Sequence, residues 1–181
     1  MVLPRPIVAV AAAALALLAA APSASAAGRA CSSANSAASQ VSKRVLVRAT
    51  LCVLNSERAR HDLRPLRLNR RLSRAARRHS RAMARRRFFS HTSPAGTTFV
   101  DRIRRTGYLR GARNWNIGEN IAWGSGGLSA PRAVATAWMN SPGHRANILS
   151  RSFGSIGIGV ARGTPSGGGG AIYTTDFGRR R

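Results

Sequence analysis

"SPGHRANIL", residues 141–149, separates a helical part of the chain from a strand-rich one. Pro142 and Gly143 break the helix that precedes them, while Ile148 and Leu149 read as buried. His144 therefore falls where a loop becomes a short helix. Two strand-like runs follow, SIGIGVAR and AIYTTDFG, on either side of the glycine-rich GTPSGGGG.

Upstream the helical period dominates. A helix is expected from about Lys43, with Val45, Ala49, Cys52, Val53 and Ser56 on one face, ending before Pro65 in HDLRP. A second is expected from about Arg70 to Phe88. Its apolar stripe is Leu72, Ala75, Ala76, His79, Ala82 and Met83, with arginine over the rest. Thr98 to Asp101 reads as a capping box opening a short helix that ends at Gly107. NIGENIAW suits a strand or extended loop, and Pro131 suits the first turn of a helix ending near Asn140. Helices on both sides of a small antiparallel sheet make an α+β fold, an α-β-α sandwich.

The N-terminal region has the pattern of an export signal. Arg5 precedes an apolar run from Ile7 to Ala21, and Ala24 and Ala26 are placed for cleavage after residue 26. The run is shorter than the roughly 20 residues that span a bilayer, so the mature chain is expected to hold no transmembrane segment. Residues 27–43 read as a flexible arm and residues 44–181 as one domain. An exported chain with two cysteines favours one disulfide, Cys31 to Cys52, between the arm and the first helix.

The 30 basic residues, all arginine but Lys43, face five acidic ones, for a net charge of +25, or +24 once Arg5 is removed with the signal. Such a field attracts polyanions such as nucleic acid, anionic lipid or acidic wall polymers. A biased genome composition yields the same excess. Aromatic residues are not interleaved with the arginines as base stacking requires.

The few acids divide by their neighbours. Glu57 and Asp62 lie among arginines and suit salt bridges, and Asp101 suits a cap. Glu119, in an otherwise uncharged stretch, and Asp176 remain. Of four histidines, His61 lies in a turn and His79 on a packing stripe. His91 and His144 lie in loops beside proline and glycine. Two histidines and a carboxylate suit a divalent ion or acid–base chemistry, although no H-x-x-x-H or C-x-x-C fixes a local metal spacing.

SHTSPAG, GENIAW, AWMNSPGHRANIL, FGSIGIGV and YTTDFG, in this order and led by LNSERARHDL, resemble the CAP superfamily, the cysteine-rich secretory, antigen 5 and pathogenesis-related 1 proteins or SCP domain. The resemblance is to the compact bacterial branch and covers about residues 50 to 178. It implies a sandwich with an open cleft in which histidines can hold zinc or another divalent ion. His91 and His144 match the two histidines and Glu119 the GEN glutamate. The family's second glutamate has no counterpart in WMNS, Thr175 stands where glutamine is frequent, and Ala95 where aspartate is. Asp176 suits either the site or a structural hydrogen bond.

Three functions follow. The first, implied by the resemblance, is a secreted, non-catalytic module binding a lipid, peptide or other envelope ligand. The second is a metal-dependent hydrolase or peptidase with His91 and His144 as ligands and Glu119 as base. No G-x-S-x-G is present, and two histidines are fewer than the three protein ligands usual at catalytic zinc. The third is a charge-driven binder of acidic polymers.

Overall fold

Local chemistry starts each helix in the computed structural model, which describes residues 31–181. The expected export signal, residues 1–26, lies outside the described residues. α1 (Lys43–Ala59) starts at Ser42, whose hydroxyl accepts from the Val45 amide. α2 (Arg70–Arg86) starts at Asn69, which accepts from the Arg71 and Leu72 amides, and stops at Arg87 in a left-handed conformation (φ 53°). α3 (Phe99–Arg105) carries the expected capping box, Thr98 with Asp101. α4 (Pro131–Met139) and α5 (Pro142–Leu149) both place proline in the first turn, where its missing N–H costs nothing.

The sheet has the order β1-β3-β4-β2. β3 (Ser155–Arg162) and β4 (Ala171–Arg180) form an antiparallel hairpin, and β2 (Trp115–Gly124) pairs antiparallel along the other side of β4. β1 (Arg67–Leu68) pairs parallel to β3. The α-β-α sandwich is as expected, but the sheet is mixed at one edge. A two-residue strand is too short for its alternation to be read from the sequence.

Alternation along the strands assigns the two faces. Ile156, Ile158 and Val160 of β3, with Tyr173 and Phe177 of β4, share a core with Leu46, Val53 and Leu54 of α1 and Val134 and Trp138 of α4. On the other face Ile121 and Ile172 meet Met83 of α2, while Leu72 and Ala75 meet Ile103 and Tyr108. Gly157 and Gly159 face α2. A Cβ at either would strike the α2 backbone at Leu72–Ser73 or Ala76–Arg77, so the glycines of SIGIGV let that helix lie directly on the sheet.

Three expectations need correction. The buried stripe of α1 is Leu46, Ala49, Thr50, Val53, Leu54 and Arg58, one position away from the expected one at several points. Arg58 is 1% exposed, and its guanidinium donates to the carbonyls of Arg64, Ile148, Ser150 and Phe153. The turns after α1 and α5 are thereby tied together. The described part of the arm is packed rather than flexible. Ala34 and Ala38 are buried, the Ala38 amide donates to Ser129 Oγ, and Cys31 is bonded to Cys52 as expected. Asp62 occupies a turn at φ 52°, and of the two acids expected to pair with arginine, Glu57 does so, 2.7 Å from Arg60.

Candidate histidine–carboxylate site

Glu119 and Asn120 are neighbours on β2, so their side chains project to opposite faces of the sheet. Glu119 faces the α2 layer, as Ile121 does two residues on. Its carboxylate accepts from Arg102 Nη2 at 2.7 and 2.9 Å and lies 2.8 Å from His91 Nδ1. Burial pushes the Glu119 carboxyl up, but the His91 hydrogen bond and the Arg102 charge outweigh it, and the group is held below its ordinary range. Arg102 also donates to the carbonyls of His91 and Thr97, so one arginine of α3 fixes both the carboxylate and the loop that carries His91.

On the other face, the Asn120 amide donates to the His144 carbonyl at 3.0 Å. Asn147 donates to the Glu119 carbonyl and to Asn120 Oδ1. α5 is thus fastened to β2 by two asparagines, which sets His144 in its first turn. His144 Nδ1 lies 2.8 Å from Ser141 Oγ, in the stretch that lacks a second glutamate. Burial, and then the charge of His91, lowers the His144 pKa. The structure therefore brings His91, Glu119 and His144 to the same stretch of β2. His61 lies apart, against Arg145.

The two histidines share a pattern. In each, the recorded hydrogen bond uses Nδ1, to a carboxylate in one and a hydroxyl in the other, which leaves Nε2 as the remaining nitrogen. Metal-binding imidazoles are commonly oriented through the opposite nitrogen in this way. Glu119 acts as the orienting group, with both oxygens engaged. Among the described residues no three or more of His, Cys, Asp and Glu are gathered as an ion cage.

Asp176 lies across from Glu119 in the β2–β4 register. It is 1% exposed. Burial, then the neighbouring Glu119 charge and a hydrogen bond with Glu119, raises its pKa well above the ordinary value. His79 is also buried. Its Nε2 donates to the Ser90 carbonyl, next to His91, and burial pushes its pKa down to about 4. The expected packing histidine therefore also holds the site loop. Arg102, Asn120, Asn147 and Ser141 carry no signal that singles them out in the sequence.

Cavities of about 390–540 Å³ indent the described residues, and neither His91 nor His144 lines these. No helix among the described residues is long and apolar enough to cross a membrane.

Residues 51–177 match the cysteine-rich secretory protein family, CAP. The chain is 35% identical over 146 residues to the Bacillus subtilis protein YkwD, covering 81% of this chain and 50% of YkwD. Among solved structures it is similar to an extracellular protein containing a SCP domain from Bacillus anthracis. That match has a TM-score of 0.60 and 29% identity, over 76% of this chain and 43% of the other. Its fold is also that of an outer surface protein from Borrelia burgdorferi, with a TM-score of 0.64, 22% identity, and 78% and 97% coverage. The chain thus spans half or less of YkwD and of the Bacillus anthracis protein.

Proposed function

Because the chain belongs to the cysteine-rich secretory protein family, we propose that it is an exported binding domain that takes a divalent ion through Nε2 of His91 and His144. The observation that carries the reading is the pair of Nδ1 hydrogen bonds, to Glu119 and Ser141, which orients each ring and leaves Nε2 to a ligand. A disulfide and the extracellular and outer-surface settings of two structural neighbours support export. When bound, a divalent ion would supply a fixed positive charge on which an anionic group of an envelope ligand could dock.

Binding is favoured over hydrolysis by the state of Glu119. A carboxylate paired with Arg102 and held below its ordinary range is a weak proton acceptor. Two imidazoles are also one protein ligand short of the usual catalytic zinc set.

Zinc titration of the mature chain tests the proposal. His144→Ala is expected to lose tight binding while keeping the fold, since His144 packs little. Occupancy in the unaltered chain is expected to fall as pH drops through the imidazole range, roughly pH 6.5 and below, because protons compete for Nε2. Unchanged zinc affinity in His144→Ala would overturn the reading.

A further inference from the structure

Helical spacing concentrates arginine at one place on the surface. Arg78, Arg81 and Arg85 of α2 recur at intervals of three and four, which puts them on one face. Arg86 follows. Across from them, Arg102 and Arg105 of α3 stand three residues apart. These six side chains, the hydroxyl residues Ser93 and Thr97, and an apolar floor that includes Ala75 and Ala82 enclose a cavity of about 540 Å³. No carboxylate lines it.

Two further observations bear on what this cavity can bind. First, Arg102 is nine-tenths buried, and after its Nη atoms serve Glu119, His91 and Thr97, its buried Nε–H has no partner. A buried, unpaired guanidinium donor costs free energy until an acceptor reaches it. Second, among the described residues no hydrogen bond or ion pair takes up the guanidinium groups of Arg78, Arg81, Arg85, Arg86 or Arg105. The cavity of similar size beside Arg151 and Arg180 differs in its lining. Asp62 lines it, and the buried Arg58 there is committed to four carbonyls.

We propose that the cavity between α2, the 93–97 loop and α3 binds a compact ligand bearing several phosphate groups. Phosphate fits the donor set better than a single carboxylate does. Its oxygens accept bidentate forks from more than one guanidinium, and several groups in series match the charge of several arginines. The volume lies within the range of small-molecule sites. Ser93 Oγ already accepts from the Thr97 amide, so its own O–H remains to donate to an anion. Arg102 would then touch the ligand on one side and hold Glu119 on the other. The site uses neither His91 nor His144 and shares only Arg102 with the ion reading, so its test at Arg81 and Arg85 leaves that reading untouched.

Calorimetric titration of the mature chain with inorganic tripolyphosphate, at about 0.15 M salt where surface charge is screened beyond roughly 8 Å, tests the proposal. One saturable site is expected. Arg81→Ala combined with Arg85→Ala should weaken it about tenfold or more, as loss of charge-assisted hydrogen bonds does. Arg44→Ala combined with Arg48→Ala removes the same charge from the exposed face of α1 and should change affinity less than about twofold if only the distant field is altered. All four arginines are exposed, so neither variant threatens the fold. Equal weakening by both pairs, many equivalent weak sites, or no binding at this salt would overturn the proposal. Competition by phosphatidylcholine vesicles carrying phosphatidic acid names the source. Displacement of tripolyphosphate supports a lipid-borne phosphate at the site, and its persistence supports a soluble one.

Discussion

Asp176 is an acid whose protonated form the fold favours. Its carboxyl is buried across from the ionised Glu119, and both effects raise its pKa. A carboxyl with a raised folded pKa contributes stability below its unfolded pKa, and that contribution is lost as pH rises through the folded value. Asp176→Asn keeps the shape and removes the titration. The variant should therefore match the unaltered chain only below about pH 4 and exceed it in stability increasingly as pH rises above that, read by urea unfolding at several pH values. His79 works in the opposite sense. Its folded pKa of about 4 lies below the ordinary imidazole value, so stability is present above roughly pH 6.5 and lost as pH falls toward 4. On that scale the loss is on the order of 3 kcal/mol, and His79→Gln should flatten the acid limb of the stability curve. Glu119 was legible in the sequence because it was the one acid in an uncharged strand. Arg102 was not, since nothing in the sequence separates it from the other arginines. Nor was the raised pKa of Asp176, which depends on the β2–β4 register placing a second carboxylate opposite.

At the scale of elements, the hydrophobic period located α1 and α2, strand-like runs located β3 and β4, capping, proline and glycine signals located α3, α4 and α5, and NIGENIAW, which suits a strand or an extended loop, is β2. The stripe of α1 departs from its sequence pattern because its buried face includes Thr50 and Arg58 in place of Cys52 and Ser56. Thr50 is acceptable inside because its hydroxyl donates to the Leu46 carbonyl, and Arg58 because four carbonyls receive it. Polar residues satisfied in this way carry no apolar signal. Glycine in SIGIGV weakened the strand pattern for a reason seen only in the packing. Those two positions hold α2 at backbone distance from β3. Gly159→Ala sets a methyl against the Ala76 carbonyl and the Arg77 amide, neither of which can move without shifting the helix. Overpacking of this kind costs about 1–3 kcal/mol, and backbone as the obstacle favours the upper end. The midpoint of urea unfolding should fall accordingly. Gly143→Ala, whose added Cβ meets nothing within 4 Å, should leave it nearly unchanged.

Across the whole molecule the charge sets the conditions under which these elements hold together. With 30 basic and five acidic residues, most positive charges lack a negative neighbour, and their mutual repulsion opposes the compact state. Two devices offset it. The disulfide closes a loop of sequence separation 21 and constrains the unfolded chain, which is worth about 3 kcal/mol by the chain-entropy argument. Reduction should lower the melting temperature by roughly 10 °C for a domain of this size. The second device is the burial of the ion pair between Arg102 and Glu119, which solvent ions reach poorly. Sodium chloride therefore acts unequally. It screens repulsion among the exposed arginines and leaves the buried pair largely intact, so the melting temperature should rise between about 0.02 and 0.3 M, most steeply at the low end where the screening length changes most. Chloride is the appropriate salt, because phosphate would add occupancy of the arginine cavity to the screening effect. A melting temperature that falls with chloride would mean that exposed ion pairs such as Arg60–Glu57 outweigh the repulsion, contrary to the six-to-one excess of basic over acidic residues.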